Sequence, residues 1–211
     1  MSNPTIEELL EISPCECSEG LLIEQFISPN IHQMWSPMPR IAGPAFTVKC
    51  GEGDHLSLHA AIYRAKAGDV IVVEAGLDYA NVGGNVCAIA KQRGVVAMVI
   101  DGFIRDIAEI REAKFPIYAR GVMPKPGAKK QIFPLNQPIQ CGGVTVNAGD
   151  YIVADEEGIA VIPKDRLIEV YNLAKARTDK DASMNLAEWK VQHSKKVESK
   201  LQELGYYEYP I

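Results

Sequence analysis

A chain of 211 residues, 47% apolar and 23% charged, is long enough to bury a core without disulfide staples, and this ordinary composition excludes wholesale disorder and fibrous repeats. The formal net charge of −5 argues against a broad nucleic-acid surface, because phosphate backbones reward clustered Lys and Arg. No apolar run reaches membrane-spanning length, and the polar opening Met1 to Glu8 lacks the basic flank and apolar stretch of a secretory signal. Cys15, Cys17, Cys50, Cys87 and Cys141 are an odd, scattered set that reads as reduced thiols, so the expected location is the cytoplasm. Cys15-Glu16-Cys17 has no second pair at zinc spacing.

Residues 1–40 read as an N-terminal helical region, after which Ile41-Ala42-Gly43-Pro44 punctuates the chain and Ala45 to Cys50 alternates like a strand. Leu56 to Ala65 has helical apolar spacing and ends before Gly68; Asp69 to Glu74 is a continuous apolar run of the kind covered on both faces. A loop from Gly76 to Gly84 leads to a helix at Asn85 to Arg93, with Gly94 as its C-terminal cap. Val95 to Ile100 is the next buried strand, broken by Asp101-Gly102; a short helix at Asp106 to Ala113 and a strand at Ile117 to Ala119 follow. This alternation predicts parallel βαβ units.

Val122 to Gln140, rich in Pro, Lys and Gln, reads as a surface loop or irregular arm. Val144 to Val146, Asp150 to Asp155 and Gly158 to Pro163 are strand-like pieces expected to pair largely antiparallel. Helices are predicted at Asp165 to Arg177 and Leu186 to Leu204, separated by the polar stretch Thr178 to Ser183. The expected organisation is therefore residues 1–40, an α/β core over 41–177, and a C-terminal helical extension over 178–211.

The chemistry concentrates in Asp101-Gly102-Phe103-Ile104-Arg105-Asp106-Ile107-Ala108-Glu109, which sets three carboxylates and a guanidinium at the end of a buried strand. Ligands of open α/β sheets collect beyond the carboxyl ends of strands. Arg105 offers forked donors to a carboxylate or polarised carbonyl, and Asp106 a hard oxygen suited to a magnesium-type ion. Spacing alone puts a structural reading first: Asp-Gly as a turn, an acid in a first helical turn, an Arg paired with it.

Gly84, twenty residues, then Arg105-Asp106-x-x-Glu109 resembles the signature of the RraA-like family, which includes the class II 4-hydroxy-4-methyl-2-oxoglutarate and 4-carboxy-4-hydroxy-2-oxoadipate aldolases. The resemblance extends to Gly43-Pro44-Ala45-Phe46-Thr47-Val48, Ala67 to Val73, Arg93-Gly94-Val95, Val99 to Gly102 and Asp155 to Pro163, covering roughly residues 40 to 177. It implies a single β/β/α domain of swivelling-domain type, with mixed parallel and antiparallel strands, assembled as a homotrimer or hexamer. It further implies Mg²⁺ or Mn²⁺ bound through Asp106, with Arg105 gripping a small 2-oxo acid substrate and catalysis resting on both. The loop Gly83-Gly84-Asn85-Val86 lends backbone N–H groups to the substrate carboxylate, and Asp101 and Glu109 support these residues from behind.

The implied reaction is retro-aldol cleavage to pyruvate and a second keto compound, in which a metal-linked water or hydroxide takes the C4 hydroxyl proton; oxaloacetate decarboxylation would use the same electron sink. No nucleic acid or membrane partner is expected. This chain departs from many aldolases in having Gly84 and Asn85 where an Asp or Glu follows the loop glycine. Those aldolases also draw an acid from a neighbouring subunit's C-terminal region, for which Asp179 and Asp181 are the candidates. The departure keeps a second class open: a noncatalytic regulator of the RraA type that binds a ribonuclease. A methyltransferase label found among relatives lacks a supporting Gly-x-Gly loop.

Outside the signature, His55 and His59 stand one helical turn apart without an intervening Glu or a third ligand, which favours capping or packing over zinc. Lys125, Lys129 and Lys130 could attract an anion or simply face solvent. No serine has a nucleophile-elbow context.

Overall fold

The computed structural model describes residues 3–206. Its helices and strands, in chain order, are α1 (Ile6–Leu9), α2 (Pro14–Cys17), β1 (His32–Gln33), β2 (Ile41–Lys49), α3 (Leu56–Ala61), β3 (Val70–Glu74), β4 (Ala80–Val82), α4 (Gly84–Gln92), β5 (Ala97–Ile104), α5 (Ile107–Glu112), β6 (Ile117–Val122), β7 (Ile139–Cys141), β8 (Val144–Val146), β9 (Tyr151–Asp155), β10 (Gly158–Ile162), α6 (Leu167–Ala182) and α7 (Leu186–Glu203). The main sheet runs β1-β6-β5-β3-β2-β9-β10, with β4 joined to β5. Its centre, β2, β3, β5 and β6, is parallel, while β9, β10 and β1 pair antiparallel at the flanks, so the fold is mixed α/β. β7 and β8 form a separate hairpin.

Alternation sorts the core. Ile71 and Val73 point with Met98, Ile100 and Ile104 toward Leu58, Ile62, Cys87, Ala90 and Ile110 from α3, α4 and α5. Val70, Val72 and Val99 point the other way, onto Ile139, Val144, Val146 and Ile152. Val70 to Val73 are all inaccessible, as a parallel strand covered on both faces should be. A third cluster packs Leu9, Ile12 and Cys17 of the N-terminal segment on Val153, Ile162, Leu167 and Val170.

Three expectations are corrected. Asp101-Gly102 does not break its strand: β5 continues to Ile104, with a shift of register against β6 between Ile100 and Phe103. Gly102 is there for close approach, since a Cβ would lie 2.6 Å from Asn81 Oδ1, which is the use of a strand glycine at a bulge rather than at a turn. The loop from Gly76 to Gly84 contains β4, which takes over the edge of β5 at Phe103 where β3 leaves it at Asp101. Thr178 to Ser183 is not a spacer either, because α6 runs on to Ala182 and Arg177 pairs with Asp181 one turn later.

The chain divides after Lys175 into two compact units. The second carries α7, entered through a capping box at Asn185 and Glu188, with Trp189 stacked on His193. No helix among the described residues is long and apolar enough to cross a membrane.

Tyr118 is among the core groups that depart from the rule that buried polar atoms are bonded. Tyr118 is 1% exposed and its hydroxyl has no hydrogen-bond partner among the described residues. An unsatisfied hydroxyl in an apolar setting costs about 1–2 kcal/mol. Tyr118→Phe is therefore expected to leave stability unchanged or raise it by about 1 kcal/mol, read from the midpoint of urea unfolding; a loss above 1 kcal/mol would reveal a partner such as a buried water.

Candidate active site

β4 and β5 are parallel neighbours, so their carboxyl ends deliver Gly83 and Arg105-Asp106 to the same place, where α4 and α5 begin. Asp106 takes the left-handed conformation, φ 59° and ψ 39°, which Asp tolerates better than most residues. In that conformation its side chain does not cap α5. It crosses instead to α4, where Oδ2 accepts from Gly84 N–H at 3.1 Å and lies 3.6 Å from Arg105 Nε.

The approach explains both glycines. A Cβ on Gly83 would lie 2.3 Å from Asp106 Oδ2 and 3.2 Å from Arg105 Nε; one on Gly84 would lie 2.1 Å from Glu109 Oε2. The glycine, the Arg-Asp pair and the acid three residues beyond it are thus parts of one contact between two helix starts. Glu109 packs against Gly84, outside the cleft lining. Asp101 stands apart too: its carboxylate accepts from Arg120 Nε at 2.5 Å and from Gly142 N–H at 2.6 Å, tying β5 to β6 and the turn of the β7–β8 hairpin.

The cleft in front of Arg105 and Asp106 has a volume of about 400 Å³ and is also lined by Val82, Gly83, Asn85, Val86, Asn81 and Lys129, with both His55 and His59. Of the backbone donors expected to hold a substrate carboxylate, Gly84 N–H is taken by Asp106 and Val86 N–H by the Gly83 carbonyl. Asn81 and Asn85 line the cleft, and Asn81 Oδ1 is buried without a hydrogen-bond partner among the described residues.

The histidines are the members of the cleft that sequence reasoning assigned elsewhere. His55 is at the N-cap position of α3 but makes no side-chain cap; its Nδ1 lies 3.4 Å from the Ala80 carbonyl and its ring stacks on His59 at 4.6 Å. Burial, with His55 and Lys129 nearby, pushes the His59 imidazole down to about 4, so it is neutral at physiological pH. The one-turn spacing was the available signal; what it could not show was that the irregular arm folds back over α3.

Asp54 holds that arm. It is 2% exposed, and its carboxylate accepts from Leu56 N–H at 2.9 Å, Lys130 N–H at 2.5 Å and Gln131 N–H at 3.2 Å. Ala80 N–H donates to the Lys125 carbonyl and His55 N–H to the Ala128 carbonyl, which completes the anchorage and brings Lys129 to the cleft. Burial raises the Asp54 carboxyl, but the three N–H groups outweigh it and hold it below its ordinary range. A carboxylate depressed on folding stabilises above its unfolded pKa and loses that contribution as pH falls through the folded value. Asp54→Ala is expected to cost about 2 kcal/mol at pH 7, with the difference from the parent shrinking below about pH 4; denaturant titrations at the two pH values measure it.

Among the described residues no three His, Cys, Asp or Glu side chains gather as a metal cage. An ion of the Mg²⁺ or Mn²⁺ type needs less, one or two carboxylates with water and ligand oxygens. Asp106 meets that requirement: its Oδ2 is oriented by Gly84, which leaves the carboxylate its second oxygen. The residues fit a cation held by a single carboxylate and otherwise by water and substrate.

Such a fold is a small mixed α/β domain with its cleft at the carboxyl ends of parallel strands, beside a glycine-started helix, where open α/β sheets offer their ligand sites. Residues 15–161 match the RraA-like family model, described as Aldolase/RraA, and the chain belongs to that family. A Halalkalibacterium halodurans protein provisionally named a 4-hydroxy-4-methyl-2-oxoglutarate aldolase is 40% identical over 150 residues, 70% of this chain and 71% of that one. The Thermus thermophilus 4-hydroxy-4-methyl-2-oxoglutarate aldolase is 30% identical over 138 residues, 64% of this chain and 84% of its own. Among solved structures, Streptomyces coelicolor RraAS2, described as an unusual member of the RNase ES inhibitor RraA family, superposes with a TM-score of 0.74 at 26% identity, covering 84% of this chain and 94% of that one.

Proposed function

We propose that this chain is a carbon–carbon lyase that cleaves a 4-hydroxy-2-oxo acid to pyruvate and a second keto compound, and that it decarboxylates oxaloacetate through the same enolate. The observation that carries this reading is the Arg105–Asp106 pair, set side by side at the head of one cleft by the Gly83-Gly84 contact. The names of the aldolase relatives support it.

Asp106 would hold the divalent cation, which when bound supplies a Lewis acid for the 2-oxo carboxylate. Arg105 places its forked donors beside the keto oxygen, where negative charge grows as the C3–C4 bond breaks. Lys129 adds positive charge at the cleft wall, and Asn81 and Asn85 add uncharged polar side chains to its lining. The backbone at Arg105 is held by its N–H to the Val82 carbonyl, and the Asp106 carboxylate by Gly84 N–H. Assembly as a trimer or hexamer belongs to the same proposal, and light scattering checks it.

The test is pyruvate release from a panel of 4-hydroxy-2-oxo acids and from oxaloacetate, with Mg²⁺ or Mn²⁺ and again with a chelator. Chelator-sensitive release is expected; silence across the whole panel would remove the lyase. A second reading, a regulator that binds a ribonuclease, draws on Asn85, an uncharged side chain in the first turn of α4, and on the RraA structures. Ribonuclease binding that survives Asp106→Ala would favour it.

A further inference from the structure

The C-terminal helix carries an apolar stripe that stands open. α7 has 18 residues, about 27 Å at 1.5 Å per residue, and none of its described side chains is buried. At 3.6 residues per turn, Leu186, Trp189, His193, Val197, Leu201 and Leu204 fall within one stripe about 120° wide. The Trp189 and His193 rings stack within it at 4.4 Å, and its ends are open, with Leu186 80% and Leu204 71% exposed. A helix of this length is marginal in water on propensity alone, so its stability calls for a cover on that face.

The order of residues along the stripe says which cover fits. Its six positions are symmetric about Lys195: Leu186 and Leu204 lie nine residues either side of it, Trp189 and Leu201 six, His193 and Val197 two. Laid antiparallel on a copy of itself and centred on Lys195, the helix sets Leu186 opposite Leu204, Trp189 opposite Leu201 and His193 opposite Val197, each contact made twice. That reciprocity is what a two-fold contact between identical chains requires. Charge at one edge of the stripe agrees with it. Lys190 and Glu198 lie on the same side, and across the two-fold Glu198 of one copy falls within two residues of Lys190 of the other. On the opposite side Lys196 meets its own copy, a like-charge pairing that opposes association.

We propose that the apolar face of α7 docks antiparallel on α7 of a second copy of this chain, about a two-fold axis level with Lys195. A two-fold contact joins chains in pairs, so the assembly holds an even number of copies. A hexamer of paired trimers has such axes between its halves and a lone trimer has none. The inference therefore decides between the two assemblies proposed above, and it does not rest on the lyase chemistry. Six side chains per copy are fewer than the roughly 20–30 residues a side of a standard interface, so a single pair is weak and gains strength where several act together.

The test mixes full-length copies in a Cys15→Ser background, since the other four cysteines are buried. One copy carries His193→Cys and the other Val197→Cys. Mild oxidation is expected to give a disulfide-linked dimer with one of each, because opposed positions on facing helices bring their Cα atoms within the roughly 4.4–6.8 Å that a disulfide spans. Lys195→Cys, which points away from the stripe, should stay unlinked. Trp189→Glu is expected to halve the mass measured by light scattering and to leave the melting temperature within a few degrees of the parent, and Lys196→Gln to tighten the association several-fold. Absence of the mixed disulfide, preferential linkage of His193→Cys to itself, an odd number of chains, or a looser Lys196→Gln assembly would overturn the pairing. So would a Trp189→Glu variant that melts lower at unchanged mass, the signature of α7 seated on a core instead.

Discussion

Asp106→Asn and Arg105→Lys are each expected to lower kcat/KM for pyruvate release by about 10²–10³, the usual loss when one charge-stabilising group is removed from a transition state. Both should leave the melting temperature within a few degrees of the parent. Asparagine is the best substitute for aspartate in the left-handed conformation at this position, and its side-chain oxygen can still accept from Gly84 N–H. What it loses is the charge a cation would need. Arg105→Lys keeps the charge but not the planar fork, and the Arg105–Asp106 pair is partly exposed at 3.6 Å, so it contributes little to folding. Because both groups act on one developing charge, the double variant should fall far short of the product of the single losses. Steady-state kinetics with coupled pyruvate detection, beside thermal melts, decides the matter. Variants within twofold of the parent would mean that the pair is only a structural contact.

The parallel βαβ centre was legible because its strands carry a period the sheet imposes: Val70 to Val73 are apolar without interruption and are buried on both faces. Arg105 and Asp106 were legible as a pair, since adjacent residues at a strand end need no tertiary knowledge to be placed together. Asp101-Gly102 misled because its composition is that of a turn, while the need for glycine came from Asn81, twenty-one residues away in sequence and in contact only after folding. β4 was missed for a related reason: Ala80-Asn81-Val82 has too few residues for a period, and it becomes a strand only because β5 outruns β3. The histidines entered the cleft through the arm from 123 to 138, whose position depends on hydrogen bonds to Asp54 and to the backbone of β4 that no local pattern encodes.

The spacing between Gly84 and Glu109 yields the last prediction, and its sign is not obvious. At the first position of α4, Ala should be favoured over Gly by about 0.5–1 kcal/mol on backbone entropy. Against this, the new Cβ would stand 2.1 Å from Glu109 Oε2 and 2.8 Å from Glu109 Cβ. The carboxylate end can swing away, but Cβ is fixed to α5, so one helix start must retreat from the other. Overpacking of this kind costs about 1–3 kcal/mol, and the clash wins. Gly84→Ala is expected to lose about 2 kcal/mol in urea unfolding. It should also lose about 10²-fold in kcat/KM, since Asp106 rides on the displaced turn and an error near 1 Å has that effect. Adding Glu109→Gly removes the obstructing Cβ, so the double variant should recover activity and most of the stability, short of the roughly 1 kcal/mol that glycine costs inside α5. Glu109→Gly alone should leave the Mn²⁺ affinity of the parent intact, because Glu109 is a packing partner of Gly84 in this structure. A tenfold weaker affinity in that variant, with no rescue in the double, would make Glu109 a metal contact instead.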